Sequence, residues 1–158
     1  MNCAAKNEVT SLRSVMTGEH TLQETFDTIY TRLIKQGCSA VVETNENSLG
    51  IACVYRNDKG QGCAVGVLMS DEEIELARKG DVIDSHINEL LATLQYTGYE
   101  DQQEIAWFLE SCQQVHDSGF QSVAGDWEDK IRHGMQNVGT RFGLNTDVLI
   151  LDEMAAGV

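Results

Sequence analysis

The sequence predicts an α+β protein, a small antiparallel sheet of two to three strands with a central hairpin, packed by about five helices. Two observations carry this. Residues 51–73 give strand, turn and helix-start signals in unbroken succession. Elsewhere, apolar residues recur at three- and four-residue spacing, the mark of amphipathic helices. The chain contains no proline, so glycines and polar caps must end its helices.

Taken in order, residues 1–20 are polar and weakly patterned and read as a flexible N-terminal arm. Thr21 with Glu24 forms a capping box. Leu22, Phe26, Ile29, Tyr30, Leu33 and Ile34 then follow one helical face, and Gly37 closes the helix. Residues 38–43 are a short strand candidate and 44–50 a polar loop. Residues 51–56 and 63–69 are β-branched, aromatic and apolar enough for the two strands of the hairpin. Asn57-Asp58-Lys59-Gly60 between them suits a type I turn with glycine in the left-handed region. That loop length sets Tyr55 against Cys63 and Cys53 against Val65. The opposite face, with Ala52, Val54, Arg56, Ala64, Gly66 and Leu68, is small enough to admit a helix, another backbone or a ligand.

Ser70 and Glu73 form a second capping box, opening a helix over residues 71–79 that Gly80 ends. Val82, Ile83, His86, Ile87, Leu90, Leu91 and Leu94 predict the next helix, ended by Gly98. The longest helix is expected over 101–118, with Ile105, Phe108, Leu109, Cys112, Val115 and His116 inward and Trp107 beside them, and Gly119 ending it. Asp126 caps a further helix carrying Trp127, Ile131, Met135, Val138 and Phe142. Residues 147–151 read as a last strand or a docked tail. The predicted organisation is an arm (1–20), one domain (21–151) and a tail (152–158).

The chain holds 25 acidic and 11 basic residues in 158, a formal charge of −14. Counting along the sequence, residues 1–60 hold 7 acidic and 6 basic side chains, and residues 61–158 hold 18 and 5. Such a surface disfavours direct contact with nucleic acid or anionic membrane and favours a basic protein partner. No apolar run approaches the roughly 18–20 residues of a membrane span. Five cysteines, an odd number in mostly apolar settings, predict reduced thiols and a cytoplasmic location.

Cys112 and His116 lie one helical turn apart, a spacing that suits two metal ligands or a thiolate–imidazole pair. No C-x-x-C spacing supplies further ligands, and the two are expected as packing residues on the buried stripe. The carboxylate clusters Glu100, Asp101, Glu104 and Asp126, Glu128, Asp129 stand at helix starts, where the dipole accounts for them. No metal, cofactor or catalytic residue is therefore expected. Arg56 and Lys59, with Tyr55 adjacent, place positive charge at the hairpin tip of an acidic molecule.

The residues Cys53, Tyr55, Arg56, Gly60, Cys63, Ala64, Gly66, Asp71 and Glu72 form a Cys-x-Tyr-Arg, Gly-turn, Cys-Ala-x-Gly, Asp-Glu pattern. His116, Asp117, Trp127, Gly143 and Leu144 follow it. The pattern, over about residues 21–145, resembles a family of small phage and prophage proteins of unassigned function. The family has a proline where this chain has Ser70. The resemblance implies a viral or prophage origin and a place in a host bacterial cytosol, and supplies no reaction. With the charge balance, it makes the leading expectation an accessory protein that binds and occupies, or inhibits, a host protein through Tyr55, Arg56, Lys59, Glu100, Asp101 and Glu104. A small-molecule binder holding an anionic, nucleotide-like ligand near Arg56 and Gly66 is the alternative. A metal- or cysteine-dependent enzyme ranks third.

Overall fold

The computed structural model describes residues 8–43, 51–53, 55–80, 87–118 and 126–150. Six α-helices lie among them: α1 (Leu12–Met16), α2 (Leu22–Gln36), α3 (Asp71–Lys79), α4 (Ile87–Thr93), α5 (Gln102–Ser118) and α6 (Asp126–Phe142). One 3-10 turn, Gly66–Leu68, precedes α3. Residues 1–7, the loop expected at 44–50, Val54, the expected helical positions Val82, Ile83 and His86, Gly119 and the tail at 152–158 lie outside the described residues.

The α+β expectation is corrected: the fold is helical, and among the described residues no sheet forms a layer for the helices. Extended backbone among the described residues is a ribbon of two three-residue strands, β1 (Val41–Glu43) and β2 (Ile51–Cys53), paired antiparallel. The expected hairpin begins and stops. Asn57 N–H donates to Gln61 O at 2.9 Å, Cys63 N–H to Tyr55 O at 3.2 Å, and Arg56 and Gly62 form an isolated bridge. This is the expected register, with Gly60 at φ +80° closing the loop. After Cys63 the chain coils instead of extending, as Val67 N–H turns back to Cys63 O and Leu68 N–H to Val65 O.

Gly66 permits this. A Cβ there would stand 1.7 Å from the Tyr55 carbonyl oxygen, so only glycine lets the coil close onto the first strand. The small-residue face is thus filled by the chain's own backbone. Residues 63–66 are all buried, as is Leu68. A short run buried on every side has no period, so its composition alone suits a strand or a coil.

Both capping boxes form. Thr21 and Ser70 each accept from the third residue of their helix, and Glu24 and Glu73 reach back to the cap backbone. Helix α2 closes at Gly37, at φ +77°. Helix α4 closes earlier than Gly98, by a Schellman pair in which Tyr96 N–H bonds Leu91 O and Gln95 N–H bonds Ala92 O. Gln95 takes the left-handed position at φ 64°, with no glycine available there.

The core sits between α2, α5 and α6, with α6 packed on both others. Phe26, Ile29, Tyr30 and Leu33 from α2 meet Phe108, Leu109 and Cys112 from α5 and Ile131 and Met135 from α6. Trp127 Nε1 donates to Leu33 O at 2.9 Å, and Gln23 exchanges two bonds with Asn145. The segment expected as a loose arm carries α1, and Val9, Leu12, Val15 and Met16 enter the core. Residues 147–150 form a helical turn, not a strand, and Leu149 is buried.

Candidate partner-binding surface

The hairpin tip is built by its own side chains. Asn57 Oδ1 accepts from Lys59 N–H and Gln61 N–H, both at 3.0 Å. From α2, Gln36 accepts from Gly62 N–H at 2.8 Å and donates to Gly62 O at 2.9 Å, standing in for a neighbouring strand. This rigidity turns the expected contact residues inward. Tyr55 is buried. Arg56 pairs with Asp71 at 2.7 Å and donates to Gly66 O and Met69 O, clamping the coil to the start of α3. Its charge is answered locally, and it works as a structural clamp. Of the three tip residues, Lys59 alone is exposed.

A groove of about 500 Å³ beside the tip includes Arg32, Lys35, Arg56 and Asp71 in its lining. Arg32 spends its guanidinium on Val67 O and Glu8, and Arg56 is committed as above. The expected ligand face around Gly66 is closed by Tyr55.

The acidic side differs. Glu100, Asp101 and Glu104 are all exposed around the start of α5. The outward face of α5 continues through Gln103, Trp107, Glu110, Gln114 and Asp117. Trp107 is 54% exposed, its ring tilted against Phe142 at 4.7 Å between centroids. An exposed tryptophan braced by a second ring, between Glu104 and Glu110 at i−3 and i+3, is a ready interface anchor. Sequence reading placed Trp107 beside the core stripe. Its spacing was informative, since it sits on the acidic side of the helix and off the Ile105–Phe108–Leu109–Cys112 face.

Cys112 and His116 are fully buried. His116 Nε2 accepts from Ala40 N–H at 3.2 Å, so its proton lies on Nδ1, which meets Asp117 Oδ1 at 3.1 Å. The ring also stands edge-on to Trp127. The pair therefore works in packing and in holding the chain before β1. No group of three metal-ligating side chains occurs among the described residues.

The thiols of Cys38, Cys63 and Cys112 are free. Burial pushes the Cys63 thiol up to about 12 and raises that of Cys112 as well. The thiolate is the reactive form. In the folded protein, iodoacetamide at pH 8 is expected to modify the half-buried Cys38 well before Cys63 and Cys112. Peptide mapping over time checks the order, and early labelling of Cys112 would contradict it.

The group that sequence reasoning most underrated is Glu73, which is 3% exposed. Its Oε1 accepts from Ser70 N–H and Leu12 N–H, both at 2.8 Å. Its Oε2 accepts from Arg13 N–H at 2.9 Å and from the Tyr96 hydroxyl at 2.7 Å. Desolvation first, and the carboxylate second, raise the Tyr96 pKa. Four donors and two helix starts account for this carboxylate as a structural centre. Compared with family models, curated proteins and solved structures, the chain finds no match.

Proposed function

We propose that this protein acts without turnover, by binding and occupying a host protein that presents a basic surface. The phage-type part of the reading rests on the sequence pattern between Cys53 and Glu72. The observation that carries the binding part is Trp107, exposed within the acidic face of α5 and next to Glu104. Tryptophan is a preferred anchor at interfaces, and surrounding carboxylates steer a basic partner toward it. In this reading the exposed Glu100, Asp101 and Glu104 around the start of α5 extend that face. Lys59 lies at the hairpin tip, while Tyr55 and Arg56 serve the fold. No helix among the described residues is long and apolar enough to cross a membrane.

The test is an affinity capture from bacterial lysate, followed by binding kinetics on the recovered partner. Trp107→Ala is expected to weaken binding by about 2 kcal/mol, roughly 30-fold, mainly through faster dissociation. Reversal of Glu100, Asp101 and Glu104 to lysine is expected to slow association more than it speeds dissociation. Binding should weaken as salt rises, because exposed charges are screened beyond about 8 Å at physiological ionic strength. A partner held equally well by both variants, or no partner at all, would overturn the reading.

A further inference from the structure

A second surface, which adjoins the acidic face along Gln114, lies in the groove between α5 and α6. The helices run antiparallel there, with Gly134 set against Val115. A Cβ at residue 134 would approach Val115 Cγ1 to 2.6 Å, so the glycine lets the helices close and leaves a trough above them. The trough holds about 430 Å³ and is lined in part by Lys130, His133, Asn137 and Arg141 from α6 and Ser111 and Gln114 from α5. No carboxylate lines it. In a chain with 25 acidic residues and 11 basic ones, two cations, an imidazole, two amides and a hydroxyl here share a groove of opposite character.

Two of the carboxylates that flank the groove in sequence are engaged elsewhere. Asp117 takes His116 and Gln113, and Asp129 takes Arg132. Arg141 makes a long bond, 3.4 Å, to Ser111 Oγ, and both residues line the groove. Ser111 donates its own proton to Trp107 O.

We propose that this groove binds a small molecule carrying a chain of phosphate groups. Its volume falls in the range of small-ligand sites. Arginine and lysine are the usual phosphate partners, one as a fork of donors and one as a point charge. Lys130 and Arg141 are eleven residues apart on one helix, about 16 Å at 1.5 Å per residue. That backbone spacing is longer than one phosphate can bridge, and a linear polyphosphate lying between His133 and Asn137 brings charge within reach of both flexible cationic side chains. Free polyphosphate and the tail of a nucleotide share this chemistry.

Calorimetric titration with inorganic tripolyphosphate, ATP and inorganic phosphate tests the proposal. Tripolyphosphate is expected to bind saturably at one site, and inorganic phosphate about tenfold or more weakly. ATP binding tighter than tripolyphosphate would make a nucleotide the source, and equal binding would make it the phosphate chain alone. Both substituted residues of Lys130→Glu/Arg141→Glu are exposed, and the double variant is expected to lose about tenfold or more in affinity. Lys130→Gln/Arg141→Gln, checked for wild-type circular dichroism, gives the same reading should the reversal not fold. Amide shifts on binding should fall within residues 111–118 and 130–141. No saturable binding by about 1 mM, unchanged affinity in a folded double variant, or shifts confined to other residues would overturn it.

Discussion

Glu73→Ala is expected to destabilise the fold by about 3–5 kcal/mol, since each buried donor left without its acceptor costs about 1–3 kcal/mol. The substitution strips acceptors from Leu12 N–H, Arg13 N–H and Ser70 N–H and from the Tyr96 hydroxyl at once. The first two are starting amides of α1, a helix of five residues. So short a helix has little stability of its own, and its Leu12, Val15 and Met16 stay in the core only while α1 is docked. Glu73→Gln keeps one acceptor oxygen and turns an NH₂ toward donors, so its cost should be smaller but still well above 1 kcal/mol. Urea unfolding of the three proteins measures this. A loss under about 1 kcal/mol for Glu73→Ala would show that water replaces the carboxylate at little cost.

Phe108→Ala is the second large effect, also about 3–5 kcal/mol. Phe108 is fully buried near the middle of α5 and meets the Phe142 ring edge-on at 5.3 Å. Truncation leaves a cavity between α5 and α6 and removes one of the two rings that Phe142 packs on, the other being Trp107. The same variant should therefore shift the emission of the exposed Trp107 while still folded. Trp127, held to Leu33 O, should change less. A loss below about 1 kcal/mol would mean that the α5–α6 contact rearranges to fill the space.

These two residues mark what could be read in the chain and what could not. Phe108 was legible because helical periodicity reports burial directly. The capping boxes and the Asn57–Gly60 turn were legible because both partners lie within four residues of each other. Glu73 was legible only as half of a capping box. Its other donors lie 60 and 61 residues back and 23 residues on, and no local pattern announces them. The sheet failed at Gly66, where contact with Tyr55, eleven positions earlier, overrides a composition equally suited to a strand. On the proposed surface, Glu100, Asp101 and Glu104 are the residues that charge alone singles out. Trp107 reads as core by its hydrophobicity and as outward by its angular position on α5, and the structure exposes it. In the sequence Arg56 reads as a free cation, because Asp71 and the two carbonyls it serves meet it only after the chain coils.

The late position of α6 bears on synthesis. Phe26 and Leu33 on α2 are made early, yet Trp127 bonds Leu33 O across 94 residues and Gln23 meets Asn145 across 122. On a ribosome adding about 5–20 residues per second, α2 waits several seconds or longer for the helix that covers it. During that interval an apolar helical stripe stands uncovered on a nascent chain whose first sixty residues carry almost no net charge. The repulsion that keeps the finished molecule apart from its copies arrives with the second half, together with the packing. The vulnerable moment for this protein is thus translation itself, and slowed elongation beyond residue 60 should raise its demand for chaperones.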